Sequence, residues 1–252
     1  MYNIILTLEI REHILRFSGK DFSNLVKGIL GGTDLYHNYY SILERLLYKC
    51  KKVDKKTPSN FIFTLILPNG LIHSSKQPSF VVKNKDGMII KEEWYLFDKI
   101  GNINKDHVSS TSYYNDGTLE DEGWYYDDKS HRDNNLPAYI EYNNLGNITS
   151  ELWCLCGKMG RTDNGVIDRR YRKNGMIKFE TYQISLYNET HSINYNKNGN
   201  KRSEWWLKND RRHRDNNLPA YREYHIDGRI KCERWYNNGN CVRAIIDGVV
   251  YT

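Results

Sequence analysis

A nine-residue segment that occurs twice constrains this chain more than any other feature. The stretch His-Arg-Asp-Asn-Asn-Leu-Pro-Ala-Tyr begins at His131 and returns unchanged from His213. An identical recurrence of this length indicates internal duplication, and duplicated segments in proteins usually belong to arrays of fixed period. The chain is therefore expected to be built from repeats.

A second pattern surrounds both copies of the segment. Six glycines are each followed by Glu five residues later and by an aromatic residue seven residues later. The six sets are Gly87/Glu92/Trp94, Gly117/Glu122/Trp124, Gly146/Glu151/Trp153, Gly175/Glu180/Tyr182, Gly199/Glu204/Trp206 and Gly228/Glu233/Trp235. Successive glycines are 30, 29, 29, 24 and 29 residues apart. About two-thirds of the chain is therefore a six-copy array.

The glycines lie in turn sequences. Five of them follow Asn or Asp, and Asn-Gly or Asp-Gly between apolar and aromatic runs is the strongest short signal for a β-hairpin. The Glu and the aromatic residue are two positions apart, so they share one face of a strand. The sequence predicts a mainly β fold, a repeat array of antiparallel β-hairpins with turns centred on the six glycines. One hairpin alone is marginal, but stacked hairpins bury a continuous core.

The segments before the array differ in pattern. Over residues 1–50, apolar residues at three- and four-residue steps predict a small α-helical segment. Residues 51–77 are expected to form a linker and a first strand, with a charged stretch over 51–60, a β-type run over 61–67 and a turn at Pro68-Asn69-Gly70. The array of six copies occupies residues 78–252.

Composition narrows the class of function. The chain has 37 basic and 31 acidic residues with both signs interspersed, so its net charge of +6 is a weak signal for nucleic acid. Five irregularly spaced cysteines indicate reduced thiols and a cytoplasmic location. No segment approaches the roughly 18 apolar residues of a membrane-spanning helix, so we expect no membrane span.

The repeated His-Arg-Asp triplets are the first candidate sites. They comprise His131, Arg132 and Asp133, and His213, Arg214 and Asp215. A protein-kinase catalytic loop also contains His-Arg-Asp, but it requires a Gly-rich loop, a strand Lys and Asp-Phe-Gly, which this sequence lacks. We predict a connector between hairpins whose Asp and Asn residues hydrogen-bond the backbone. The alternative is a ligand contact on exposed loops.

The Glu and Trp positions form the second candidate. If these acidic and aromatic residues form a row on one face, they could bind a basic or extended peptide. The favoured interpretation is structural, with Trp packing on Trp of the adjacent hairpin and Glu pairing with a neighbouring Arg or Lys. The repeat positions assigned this structural role are Gly117, Glu122, Trp124, Gly146, Glu151, Trp153, Gly199, Glu204, Trp206, Gly228, Glu233 and Trp235.

Chemistry-bearing motifs are scarce. Cys154 and Cys156 could supply two zinc ligands, but no second close pair of Cys or His completes a site. We therefore expect both thiols to pack on one strand face. Without a Gly-rich phosphate loop, a nucleophile elbow or a metal motif, we predict no catalytic residues, no metal, no cofactor and no enzymatic activity.

The repeat resembles the MORN-variant repeats common in proteins of large DNA viruses of amoebae, which are related to bacterial antitoxin-like MORN-variant proteins. The residues that carry the resemblance are Glu-x-Trp-Tyr from Glu92 to Tyr95, the turn glycines and His-Arg-Asp-x-x-x-Pro-Ala, over about residues 78–242. This resemblance implies a ladder of hairpins used as an interaction surface. The copy at 166–190 departs from the pattern, because Tyr182 replaces Trp and no His-Arg follows.

The N-terminus resembles a degenerate F-box. The matching stretches are Leu6-Thr7-Leu8-Glu9-Ile10, Ile14-Leu15-Arg16-Phe17 and Lys20-Asp21-Phe22-Ser23-Asn24-Leu25, with Thr7 where Pro is usual. In that family the motif binds the adaptor subunit of a cullin-type ubiquitin ligase. The resemblance implies partner-binding roles for Leu6, Glu9, Ile10, Ile14 and Leu15. The alternative is that this segment caps the first hairpins of the array.

Together these features predict a non-enzymatic protein–protein interaction repeat protein of the cytoplasm, or of the host cytoplasm for a viral protein. The expected partners are proteins, among them a host ubiquitin-ligase adaptor that would make the chain a substrate-recognition subunit. The alternative function is a repeat protein that binds nucleic acid or an acidic membrane surface.

Overall fold

The computed structural model describes residues 51–67, 71–74, 76–102, 104, 106–185 and 188–252. In this part of the chain the regular elements are β-strands without a helix, which confirms the mainly β prediction. The expected helical segment over 1–50 and the turn at 68–70 lie outside the described residues. The chain forms two compact units, Met1–Lys129 and Ser130–Thr252.

The first unit contains short antiparallel strands. They are β1 (Lys51–Lys56), β2 (Asn60–Ile66), β3 (Phe80–Asn84), β4 (Ile89–Glu93), β5 (Tyr95–Leu96), β6 (Lys99–Ile100), β7 (Ser110–Tyr113), β8 (Leu119–Gly123) and β9 (Tyr125–Tyr126), and β10 (Lys129–Ser130) begins at its last residue. The main sheet has the order β1-β2-β3-β4-β7-β8, and β5 with β6 forms a separate small hairpin.

The second unit continues the pattern with longer strands. They are β11 (Tyr139–Tyr142), β12 (Ile148–Leu152), β13 (Cys154–Leu155), β14 (Lys158–Met159), β15 (Val166–Tyr171), β16 (Ile177–Ser185), β17 (Glu189–Tyr195), β18 (Lys201–Lys208), β19 (Arg211–Arg212), β20 (Tyr221–Tyr224), β21 (Ile230–Asn237), β22 (Asn240–Ile246) and β23 (Val249–Tyr251). The sheet order is β11-β12-β15-β16-β17-β18-β20-β21-β22-β23, antiparallel throughout.

The six glycines of the repeat all lie in hairpin turns of one geometry. Their φ angles fall between +77° and +87°, and the N–H of each donates to the carbonyl three residues earlier. Asp86 and its equivalents do not share the positive φ, so these are not two-residue turns. They are three-residue loops, a type I turn followed by a left-handed Gly that forms a bulge. Gly is required there because other residues pay a steric cost for that backbone conformation.

A second class of turn joins the strands of the small hairpins and those of the hairpins β18–β19, β21–β22 and β22–β23. Both central residues have positive φ at Phe97-Asp98, Asp127-Asp128, Cys156-Gly157, Asn209-Asp210, Asn238-Gly239 and Asp247-Gly248. Positive φ at both positions is the type I′ geometry of two-residue hairpins. All six of these turns donate an N–H to a carbonyl earlier in the chain, at Ile72, Ile100, Ser130, Asn188, Arg212 and Lys231. Within each unit, backbone hydrogen bonds therefore link these turns to the segments that precede them.

The charged segment expected to be a linker is instead a strand along Lys51–Lys56. This strand, β1, pairs antiparallel with β2 over its full length. The ammonium groups of Lys52 and Lys56 lie 5.2 Å and 5.1 Å from the ring centroids of Phe63 and Phe61. Lysine side chains can cover apolar rings while their charge stays in water, so a charged sequence can pair along the edge of a sheet.

The short step of 24 residues has a structural cause. In the fourth copy β16 and β17 form one long hairpin, paired from Phe179–Asn194 to Ser185–Glu189. This hairpin takes the place of the small hairpin and the connector that follow Trp in other copies. The sequence irregularity around Tyr182 therefore marks a change of architecture within the array.

Candidate functional site

The Glu positions of the second unit form a continuous row across the sheet. Cross-strand pairing aligns Glu151, Arg169, Glu180, Ile193, Glu204, Arg222 and Glu233 on neighbouring strands. We call this row the glutamate ladder. Acids and bases alternate along it except at Ile193, so each carboxylate has a guanidinium beside it.

Ion pairs join the rungs of the ladder. Arg169 Nε donates to Glu180 Oε1 at 2.8 Å, and Arg222 Nε donates to Glu233 Oε1 at 2.9 Å. Each arginine also lies 3.8 Å from a glutamate of the preceding copy. The predicted pairing of Glu with a neighbouring Arg is therefore present in the second unit.

Tyrosine hydroxyls supply a further bond between copies. The residue four positions before a turn glycine donates its O–H to the Glu of the preceding copy. The pairs are Tyr113–Glu92 at 3.2 Å, Tyr171–Glu151 at 2.6 Å, Tyr195–Glu180 at 2.8 Å and Tyr224–Glu204 at 2.5 Å. The recurring Tyr and Glu are thus partners, which explains why both recur at fixed phase.

Glu204 is the most buried member of the ladder, with 2% of its surface exposed. Burial favours its neutral form, but hydrogen bonds from His191, Tyr224 and Lys201 outweigh this cost and lower the pKa of the Glu204 carboxyl to about 2. The carboxylate is therefore charged and fully engaged within the fold. The same contact raises the pKa of the Tyr224 hydroxyl to about 12, mainly through burial and then through the nearby carboxylate.

The Trp rings of the central copies are buried rather than displayed. Trp153 and Trp206 are 5% and 8% exposed. Trp206 stacks on His191 with ring centroids 4.3 Å apart, and the Arg214 guanidinium lies 3.7 Å from its centroid. These cation and imidazole contacts replace the Trp–Trp packing that we expected at this position, because Arg is planar and packs on an indole face.

Three indole N–H groups are satisfied by a connector carbonyl eighteen residues earlier. Trp153 Nε1 donates to the carbonyl of Asn135 at 2.9 Å, and Trp235 Nε1 donates to that of Asn217 at 3.0 Å. Trp124 makes the equivalent bond to the carbonyl of Asp106 at 3.1 Å. A buried indole N–H needs such a partner, so connector and Trp are coupled in these three copies.

The duplicated nine-residue segment is this connector. Within it His131 Nε2 lies 3.1 Å from Asp133 Oδ1, and Arg132 Nη1 donates to the carbonyl of Pro137 at 3.1 Å. The two asparagines, Asn134 and Asn135, have φ of +60° and +55°. Asn tolerates this left-handed region better than most residues, which accounts for the Asn-Asn pair.

The second copy repeats these contacts. His213 Nε2 lies 2.9 Å from Asp215 Oδ1, and Arg214 Nη1 donates to the carbonyl of Pro219 at 3.4 Å. The alanine after the proline is fully buried in both copies, at Ala138 and Ala220. The predicted backbone hydrogen bonding of the connector is therefore found for Asn135, whose Oδ1 accepts the N–H of Thr162 at 3.2 Å. The connector aspartates instead pair with histidines, and the arginines donate to backbone carbonyls.

The two cysteines of Cys154-x-Cys156 have different environments. Cys154 is buried, and burial raises the pKa of its thiol. Cys156 is exposed in a type I′ turn with φ of +51°, and its Sγ lies 3.9 Å from His131 Nδ1. The expectation that both thiols share a strand face is wrong, because the strand ends at Leu155 and the turn reverses the chain.

The partner-binding candidates of the N-terminus, Leu6, Glu9, Ile10, Ile14 and Leu15, lie outside the described residues. Within the described part of the chain, no three His, Cys, Asp or Glu side chains are arranged to hold a metal ion. None of the elements described there is a helix able to cross a membrane. Comparison with known proteins gives no match to a protein-family model or to a curated protein sequence.

An exposed apolar strand is the feature that sequence reasoning missed. Val249, Val250 and Tyr251 of β23 are 55%, 53% and 54% exposed. β23 pairs with β22, and no other described strand pairs with its outer edge. The signal was available in Asp247-Gly248 between two apolar runs, which lies outside the six-copy period.

Proposed function

We propose that this chain is a non-enzymatic repeat protein that binds other proteins. The observation that carries the proposal is the exposed apolar edge strand β23. Soluble proteins rarely leave a flat apolar edge uncovered, because it offers both hydrogen bonds and apolar surface to another chain. Such an edge suits a partner that adds an extended segment as a further strand.

The contacts of the repeat support a scaffold role. The Glu, Tyr, Trp and connector residues that recur along the sequence satisfy one another inside the array. A row of side chains occupied in this way supports stability rather than recognition. Recognition is then assigned to surfaces that differ between copies, among them the exposed apolar edge at residues 249–251.

Retention of partners on the full-length protein tests this proposal. Val250→Lys places a charge on the edge strand, whereas Val242→Lys changes an equally apolar residue of β22 that is 55% exposed. A protein retained by the wild type and by Val242→Lys, but released by Val250→Lys, supports strand addition at β23. Equal retention by all three proteins, or none by the wild type, contradicts it.

The MORN-variant and F-box resemblances extend this proposal. We propose that Leu6, Ile10 and Ile14 dock the adaptor subunit of a ubiquitin ligase, which would make the chain a substrate-recognition subunit of the cytoplasm. Purified adaptor should bind the wild type and should not bind an Ile10→Asp, Ile14→Asp variant whose β array remains folded by circular dichroism. Absence of binding by the wild type would assign the segment to capping of the array.

A further inference from the structure

The face of the second unit opposite the glutamate ladder has a different chemistry. Strand alternation places the sequence neighbours of the ladder residues there, so Arg170, Phe179, Trp205, Tyr221 and Arg234 share this face. Arg212 and Tyr236 adjoin them through ring contacts. We call these seven residues the arginine–aromatic strip.

The strip contains three neighbouring rings with guanidiniums at both ends. Phe179 stacks on Trp205 with centroids 5.9 Å apart and an interplanar angle of 27°. Trp205 is directly cross-strand from Tyr221, which is cross-strand from Arg234. The guanidinium carbons of Arg212 and Arg234 lie 4.9 Å and 5.6 Å from the Tyr221 centroid. The strip is therefore a continuous band of π faces and cations.

The cations of the strip differ from those of the ladder. Arg169 and Arg222 of the ladder each pair with glutamates, whereas no ion pair with a described carboxylate is found for Arg212 or Arg234. A guanidinium over a ring keeps its charge and its outward donors. Two uncompensated positive charges therefore adjoin Tyr221.

The carboxylates on the same face are largely neutralised. Asp168 pairs with Arg170 at 2.9 Å, and Glu223 pairs with Lys231 at 2.8 Å. Residues 130–252 contain 20 Lys and Arg against 14 Asp and Glu, a net charge of +6, whereas residues 1–129 contain 17 of each. The whole positive excess of the chain is thus in the unit that carries the strip.

We propose that the arginine–aromatic strip binds single-stranded nucleic acid. Aromatic rings on an open sheet face can stack on bases, and guanidiniums beside them can contact phosphates. From β15 to β21 the strip crosses five strand spacings, about 24 Å at ~4.8 Å each. This length suits a short run of nucleotides, comparable to the smallest sites of strand-binding sheets, about four nucleotides.

Direct binding of a labelled oligonucleotide to the full-length protein tests the proposal. Fluorescence anisotropy with an oligomer of about 12 thymidines should show saturable binding that weakens steeply as salt rises. An abasic oligomer of the same length keeps the phosphates but lacks the bases. It should bind about tenfold more weakly, because it offers nothing to stack on the rings.

Two sets of variants separate the rings from the charges. Trp205→Leu keeps apolar bulk but removes the ring, and should weaken binding about tenfold, while Trp205→Phe should restore most of it. Arg212→Gln with Arg234→Gln should lower the salt dependence by about two phosphate contacts. Lys173→Gln with Lys197→Gln removes the same charge from exposed turns and should change affinity less than about twofold. Circular dichroism and thermal unfolding must show each variant folded.

Four results would overturn the proposal. They are absence of binding by the wild type, equal affinity for the abasic oligomer, equal losses in the strip and turn variants, and unchanged binding in Trp205→Leu. Oligoglutamate and anionic lipid vesicles are included as competitors. If either displaces the oligonucleotide at equal charge concentration and Trp205→Leu has no effect, the face attracts polyanions in general and is not a nucleic-acid site. These outcomes are independent of the β23 edge, because Val250 faces away from the strip.

Discussion

At the scale of single residues, the most conspicuous motif of the sequence has a structural explanation. The imidazole of His131 pairs with the Asp133 carboxylate, and Arg132 donates to the carbonyl of Pro137. The carbonyl of Asn135 accepts the indole N–H of Trp153. A motif that looks catalytic by composition is thus a connector that fixes the position of the next copy. Its duplication follows from the need to seat an indole in each copy.

Substitution of Trp153 should lower the free energy of unfolding more than substitution of any other residue. Its ring packs with Val166 and Ile167 in the core of the second unit. Trp153→Ala is expected to lower the free energy of unfolding by roughly 3–5 kcal/mol in urea titrations. Trp235→Ala, at a partly exposed ring with the same indole bond, is the matched control and should cost clearly less. Equal losses at the two positions would contradict the assignment of Trp153 to the core.

Glu204 should make stability depend on pH in the acid range. Its folded pKa of about 2 is below the ordinary value of 4.5, so its contribution is complete above about pH 4.5 and is lost as pH falls towards 2. Glu204→Gln should therefore lower the unfolding free energy at pH 7 and flatten its decline between pH 4.5 and 2. The more exposed Glu233→Gln is the control. An unchanged acid limb in Glu204→Gln would contradict the ladder's role.

At the scale of elements, the array uses two kinds of turn to connect its strands. The three-residue loops with left-handed Gly join main strands, and the type I′ turns join the strands of the small hairpins and the last strands of the sheet. The two geometries require different residues, Gly at one fixed position in the first and two residues tolerant of positive φ in the second. This requirement explains why Asp and Asn are concentrated between the strands of this chain.

Gly146 offers a clean test of the turn requirement. Its φ is +77°, and a Cβ added there would meet no atom within 4 Å, so any cost of substitution is a cost of backbone conformation. Gly146→Ala should destabilise the protein by about 1 kcal/mol, with a lower midpoint of thermal unfolding. Gly146→Asn should cost less, because Asn tolerates left-handed φ. A neutral Ala variant would mean that the loop relaxes to another turn.

At the scale of the molecule, strand alternation sorts charge between the two faces of the second unit. The ladder face pairs its arginines with buried glutamates, and the opposite face leaves two of them over aromatic rings. One side of the sheet thus has its arginines paired with glutamates, and the other keeps two guanidiniums without an ion pair to a described carboxylate. The register of the strands decides on which face of the sheet each charged side chain lies, and therefore where the net positive charge is found.

The order of strands in the second unit predicts a gradient of local stability. β17 lies inside the sheet between β16 and β18, whereas β23 pairs on one side only. Hydrogen exchange should be slowest for amides of β17, such as that of Ile193, and fastest for those of β23. Equal protection of the two strands in the isolated protein would show that the edge of β23 is covered.

The positions of the hairpins could be predicted from the amino-acid pattern. A turn glycine, a strand pair and an aromatic residue at fixed offsets are local requirements, so the period of the array and the burial of Trp153 and Trp206 were predictable from spacing alone. Two predictions were wrong, namely a linker over 51–60 and a shared strand face for Cys154 and Cys156. Composition does not reveal where a charged strand pairs or where a strand ends. Residues 249–251 were missed because they lie outside the period.

The hydrogen-bond partner of each polar residue depends on how the strands are arranged in the folded chain. Glu204 and Tyr224 are twenty residues apart, and the bond between their side chains depends on the register of separate hairpins. Trp206 packs between His191 and Arg214, and the Arg212 guanidinium lies over the ring of Tyr221. These contacts likewise join residues from different strands and connectors. Spacing along a chain specifies local geometry, whereas these contacts arise from packing between copies, which no local pattern encodes.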